Sequence, residues 1–181
     1  MLTKNQIRSK ILLRLKSQKE ENRSRKSRII RNKLFRTKVF KKAKTIMFYI
    51  AFRGEVDTTE MIEKVIKLGK KVTVPVCKND RVSITPCILD HSASLKKGPY
   101  GVCEPVKRTH VNLRCLDLVI VPGLAFDAKG NRIGRGKGCY DRFLSKLRKE
   151  TPSIGLAFDF QLLPAVPSQT HDIRVNKVIF A

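Results

Sequence analysis

The 181-residue chain has no tryptophan and only 7% aromatic residues, so there is little from which to build the stacked platforms of single-strand nucleic-acid binders. No apolar run approaches the length of a membrane span, and the basic N-terminus leads into no signal-like apolar segment. A soluble, cytoplasmic protein without a membrane partner is expected. The five cysteines, Cys77, Cys87, Cys103, Cys115 and Cys139, are odd in number and form no C-x-x-C pair. That pattern argues against a disulfide framework and a zinc site, and predicts reduced thiols. Acidic residues are scarce: 15 Asp and Glu face 39 Lys and Arg, a formal net charge of +24. Residues 1–44 hold only Glu20 and Glu21 as acids. Such a field gathers polyanions, so nucleic-acid binding is weighed against plain solvated faces of basic helices.

The most informative stretch covers 118–147. Leu118 to Val121 is an apolar, β-branched run that Pro122 and Gly123 stop, which reads as a buried strand delivering a loop. In that loop Gly134, Gly136 and Gly138 alternate with Arg135 and Lys137, and Tyr140, Phe143, Leu144 and Leu147 then mark the apolar face of a helix. Glycines let backbone N–H groups approach an anion, the helix N-terminus adds partial positive charge, and the two cations neutralise the rest. Neither common nucleotide fingerprint fits. A P-loop needs glycine where Asn131 stands and Ser or Thr where Gly138 stands. On spacing alone, a phosphate cradle and a flexible basic loop are equally good readings.

Elsewhere the pattern is that of one α/β domain spanning 1–181, with 1–44 a basic helical segment packed on its core. Thr3 and Gln6 have capping-box spacing ahead of Ile7, Ile11 and Leu15, predicting a helix over 4–19. Lys4 in its first turn opposes the helix dipole unless an anion lies near. A second helix is expected over 24–42 and a strand over 45–50. A helix capped by Thr58 or Thr59 and stopped by Gly69 should lead to a strand over 71–76. That β-α-β unit places Glu55 on a loop at a strand's carboxyl end, where such folds bind ligands; a solvated turn residue is the plainer reading. An Asn79–Asp80 turn leads to an edge strand over 81–89 that contains Pro86. Residues 96–112, with Pro99, Gly101 and Pro105, read as irregular and without chemistry, and His91 and His110 as surface residues. Strands are expected over 153–158 and 175–180.

Taken together these segments resemble the 5-formyltetrahydrofolate cyclo-ligase family. PGLAFD over 122–127 and GNRIGRGKGCYD over 130–141 are similar to its PGLxFD and G-x-R-(L/I)-G-x-G-x-G-Y-Y-D signatures. Lys4 with Arg8 and His171-Asp172 match in order and spacing, and the strand and loop ending in Gly54-Glu55-Val56 look like the family's folate-contacting segment. The resemblance implies a three-layer α/β/α Rossmann-like domain with a mixed, mostly parallel sheet. It also implies an ATP- and Mg²⁺-dependent ligase that cyclises 5-formyltetrahydrofolate to 5,10-methenyltetrahydrofolate, acting on small molecules; a monomer is expected, although the sequence does not decide the oligomeric state. By the same resemblance, Lys4, Arg8, Arg132, Gly134, Arg135, Gly136, Lys137, Gly138 and Tyr140 would contact ATP, with Arg135 and Lys137 catalytic. Arg8, Ile50, Glu55, Arg135 and Cys139 would contact folate, and Asp141 and Asp172 would hold Mg²⁺.

Three positions depart from the family pattern: Cys139 replaces the first tyrosine of the Tyr-Tyr pair, Asn176 an aspartate, and no acidic residue follows the last strand. Beside Lys137 and Arg135 at a helix start, the Cys139 thiol is expected to have a lowered pKa. Two rival readings remain: a basic nucleic-acid-binding protein, with non-specific polyanion binding resting on the charge, and a non-catalytic folate- or nucleotide-binding relative, motivated by Cys139.

Overall fold

A computed structural model describes residues 2–77, 80, 82–90, 95–98 and 101–181. Asn79, Arg81, His91 and Pro99 lie outside the described residues. The expected capping box forms: Thr3 N–H donates to the Gln6 side chain at 2.9 Å and Gln6 N–H to the Thr3 hydroxyl at 3.3 Å, opening α1 (Lys4–Ser17). Its Ile7, Ile11 and Leu15 are buried. At about 1.5–3 kcal/mol for each fully buried aliphatic side chain, these three seat α1 and fix which way Lys4 and Arg8 point.

The helix expected over 24–42 is two helices, α2 (Glu20–Arg36) and α3 (Lys38–Lys42). Thr37 breaks it by adopting extended backbone, where its hydroxyl donates to the Leu34 carbonyl and accepts the Phe40 N–H. A threonine hydroxyl competes in this way with the helical ladder. Phe35 and Phe40 stack across the break at 4.2 Å. Then come β1 (Thr45–Met47), α4 (Thr59–Lys67), β2 (Lys71–Cys77) and the edge strand β3 (Ile84–Leu89). Thr58 occupies the N-cap of α4 without capping it: its hydroxyl donates to the Tyr49 carbonyl at 2.6 Å, while the Asp57 carboxylate takes the Thr59 N–H. Part of the stretch expected to be irregular is regular among the described residues, since β4 (Leu95–Lys97) and β5 (Cys103–Pro105) pair antiparallel. After them run β6 (Leu118–Val121), the short pair β7 (Ala125–Phe126) and β8 (Arg132–Ile133), α5 (Cys139–Leu144), β9 (Ser153–Ala157) and β10 (Lys177–Phe180).

Among the described residues six strands form one sheet in the order β10-β9-β6-β1-β2-β3, parallel except for β3. Pro86 faces Pro75 on that antiparallel edge, where a missing N–H is tolerated. Alternation along the strands assigns the two faces. Ile46, Leu118, Ile120 and Leu156 pack under α1, α2 and α4, whereas Met47, Val119, Val121 and Ala157 pack against α5 and Phe126. The result is three layers with a thin second helical layer, and α1 and α2 share the first core with the sheet.

Candidate active site

Parallel strands leave a crevice outside their carboxyl ends, and here it is a cleft of about 1010 Å³. Ile50 and Phe52 after β1, Cys77 at the end of β2, and Pro122 after β6 all line it. Residues far apart in sequence complete it: Lys4 and Arg8 from α1, the 134–138 loop, and Gln169, His171 and Asp172. The residues expected to contact ATP, folate or metal, from Lys4 to Asp172, all line this one cleft, whereas Asp127 and Asn131 of the signatures do not.

Acidic side chains neutralise three of the cleft's cations. Lys4 Nζ lies 2.6 Å from Asp172 Oδ2, Arg132 2.9 Å from Asp141 Oδ1, and Arg135 2.9 Å from Glu55 Oε1. Lys4 thus has the anion that its first-turn position demanded. Arg8 donates instead to the Gly134 carbonyl at 3.0 Å and to the Asn5 side chain, and Lys137 stands exposed on the loop. Glu55 is buried rather than a solvated turn residue; burial pushes its carboxyl up, opposed by the charge and hydrogen bonds of Arg135. Asp172 goes the other way: burial would raise it, but the hydrogen bonds from Lys4 and the Gln169 N–H outweigh that and hold it below the usual range.

The loop needs its glycines at defined points. Gly136 has φ +99°, and Arg8 packs over it 3.6 Å from where a Cβ would lie. Gly54, at φ +81°, lets the β1 loop sit on α1, since a Cβ there would fall 2.6 Å from the Leu15 carbonyl oxygen. The helix after the loop is only the six residues of α5, and Leu147 packs on the core from the turn beyond it. Cys139 is half-buried, and burial pushes its thiol up against a smaller opposing pull from Arg142, so the expected lowering is overturned. Desolvation outweighs the short helix and the nearby cations. Tyr140 turns inward; its hydroxyl and Arg132 Nε are buried without partners among the described residues, although both residues line the cleft.

Sequence reasoning missed several contributors. Glu104, 2% exposed, accepts the Cys77 N–H at 3.0 Å and ion-pairs with Arg108 at 3.1 Å, fastening the β4–β5 pair to the end of β2. Arg142 reaches back to the Lys137 carbonyl. The Phe52 ring carries Arg135 at 5.3 Å on the cleft wall. Asn176, an apparent departure, accepts from Ser153 N–H at 2.7 Å and ties β10 to β9. No local motif announces these contacts, because each joins segments distant in sequence or irregular in pattern.

A metal site would rest on carboxylates. Among the described residues no three His, Cys, Asp or Glu side chains cluster as a cage. Asp141 and Asp172 nevertheless share one end of the cleft, Asp141 Oδ1 accepting the Ile173 N–H at 3.2 Å. Two carboxylates without a full cage fit Mg²⁺, which completes its shell with water and phosphate oxygens, better than a zinc-type centre.

Fold and site together define an α/β protein with a charged, cation-rich cleft at its sheet's carboxyl edge. The model of the 5-formyltetrahydrofolate cyclo-ligase family matches residues 1–181. The mouse 5-formyltetrahydrofolate cyclo-ligase is 30% identical over 190 residues, covering 98% of this chain and 93% of that protein. The Escherichia coli K12 enzyme of the same name is 33% identical over 141 residues, 76% of this chain and 78% of its own. The solution structure of Aquifex aeolicus 5,10-methenyltetrahydrofolate synthetase superposes with a TM-score of 0.86 at 34% identity, covering 99% of this chain and 90% of that one. The chain belongs to the 5-formyltetrahydrofolate cyclo-ligase family.

Proposed function

We propose that this protein cyclises 5-formyltetrahydrofolate to 5,10-methenyltetrahydrofolate with ATP and Mg²⁺, releasing ADP and phosphate. As a member of its family it is an enzyme, a ligase forming a C–N bond. The observation that carries the ATP half of the reading is the convergence of Lys4, Arg8, Arg135 and Lys137 on one cleft that also holds Asp141 and Asp172.

A formamide oxygen is a weak nucleophile and hydroxide a poor leaving group. Attack of the formyl oxygen on the γ-phosphorus forms a P–O bond and breaks the bond to ADP. N10 then attacks the formyl carbon, the carbon–oxygen bond breaks with phosphate leaving, and N10 gives up its proton. Such chemistry asks the protein mainly for positioning and charge neutralisation. Lys4, Arg8, Arg135, Lys137 and the backbone of Gly134, Gly136 and Gly138 hold the phosphates in this reading. Arg132, expected among the nucleotide contacts, is buried and committed to Asp141; it acts through that carboxylate. Tyr140, whose buried hydroxyl has no partner among the described residues, stands on the nucleotide side of the cleft in this reading. Asp141 and Asp172 hold Mg²⁺, which when bound screens charge on the phosphates. Ile50, Glu55 and Cys139 face the folate. The reading makes the protein a cytoplasmic, monomeric enzyme of one-carbon metabolism.

The test is appearance of methenyl absorbance from purified protein, 5-formyltetrahydrofolate, ATP and Mg²⁺. Omitting ATP, or chelating the metal, should abolish it. Turnover without ATP would overturn the phosphorylation route, and folate binding without turnover would favour a non-catalytic relative.

A further inference from the structure

The Arg135–Glu55 pair joins the two halves of the cleft. Glu55 Oε1 accepts twice from Arg135, from Nε at 3.2 Å and from the terminal nitrogen at 2.9 Å, and Oε2 accepts the Phe52 N–H at 3.1 Å. The same guanidinium donates to the Phe52 carbonyl at 3.3 Å and lies 5.3 Å over the Phe52 ring. Side-chain exposure is 34% for Arg135 and 10% for Glu55, so the carboxylate sits where an unpaired charge is costly. One edge of the guanidinium is thus fully committed, and so is the oxygen that would receive a donor from substrate.

We propose that this ion pair couples the two substrates, Glu55 being a positioning residue for Arg135 as well as a contact for folate. The inference rests on the cyclo-ligase reading. A phosphate that draws Arg135 away leaves Glu55 buried without its cation. A pterin donor that draws on Glu55 Oε1 loosens Arg135. Either ligand alone therefore breaks the pair at full cost. With both bound, Arg135 has phosphate and Glu55 has pterin N–H groups, so that cost is incurred once for two binding events. Linkage then requires each ligand to tighten the other by the same factor.

The geometry favours this pair over the other two as the coupling element. Lys4–Asp172 and Arg132–Asp141 both lie among groups read as nucleotide and metal contacts, so rearranging them serves one ligand alone. Arg135–Glu55 has one member on the phosphate loop and the other on the segment after β1.

Calorimetric titration of the whole protein with AMP-PNP and Mg²⁺, with and without saturating 5-formyltetrahydrofolate, reads the coupling without turnover. Folate should tighten AMP-PNP by about 5- to 150-fold, the usual range for linked sites, and the reciprocal titration should return the same factor. In Glu55→Gln the charge pair is gone; AMP-PNP alone should bind more tightly than to the wild type, and the coupling factor should fall to within about twofold of unity. A merely structural role for Glu55 would weaken both ligands and leave the ratio unchanged. Tight but independent binding of the two probes to the wild type overturns the coupling alone. Failure of both probes to bind overturns the cyclo-ligase reading and the coupling with it.

Discussion

Asp127 closes the signature stretch before the glycine loop, and its replacement is a quantitative test of what that stretch is for. The side chain is buried and accepts four hydrogen bonds: Lys129 N–H at 2.9 Å, Asn131 N–H at 3.0 Å, Asn131 Nδ2 at 2.7 Å and Val166 N–H at 3.1 Å. It thereby holds the β7–β8 turn and pins the 166 segment to it. At about 1 kcal/mol net for each bond, Asp127→Ala should cost about 4 kcal/mol, since buried N–H groups lose their acceptor. With a urea slope of about 2 kcal/mol/M, the midpoint moves down by about 2 M. Asp127→Asn should recover part of this, limited by an amide donor placed among N–H groups.

The pH dependence has a definite sign. Burial alone would raise the carboxyl, but the bonds from Asn131, Val166 and Lys129 outweigh it and hold the folded value below the ordinary 3.8. A depressed folded value means that the charged form stabilises the fold above the unfolded pKa, and that this stability fades as pH falls through the folded one. The gap between wild type and Asp127→Asn, measured by urea denaturation, should therefore be full at pH 7 and shrink below about pH 4. A loss under about 1 kcal/mol for Asp127→Ala at pH 7, or a gap that does not shrink in acid, would refute the reasoning.

Lys137→Ala should lower kcat/KM by about 10²-fold or more, the scale of removing a charge-stabilising group from a reaction site; a loss under about threefold would make Lys137 an ordinary solvated loop residue. Iodoacetamide followed by mass spectrometry should find exposed Cys115 modified before half-buried Cys139 and before Cys77, whose thiol burial pushes up to about 11; Cys139 reacting first would restore the activated-thiol expectation. Binding to duplex DNA should be non-specific and collapse with salt, because exposed Lys10, Lys16, Lys38, Lys41 and Lys42 offer phosphate contacts but no base readout. Tight, sequence-selective binding near physiological salt would favour the nucleic-acid reading of the charge.

By itself the sequence determined the elements whose signals are local: the capping box at Thr3, the periodic Ile7, Ile11 and Leu15, the buried run at Leu118, and the glycine–cation alternation over 134–138. Hydrogen bonds within a few residues and a repeating apolar face are written into adjacent positions, so the α/β class and the glycine loop could be read directly. The break at Thr37 escaped that reading, because a threonine inside a basic helical stretch gives no hint that its hydroxyl will close one helix and open the next. Only the tertiary structure decided which charges meet. Glu55 and Arg135 are 80 residues apart, and Lys4 and Asp172 168 apart, so no spacing rule connects them. It also decided the chemistry of Cys139. Sequence shows the cations and the helix start beside that thiol, but desolvation depends on how many atoms from other segments surround it, and that quantity exists only in the folded chain.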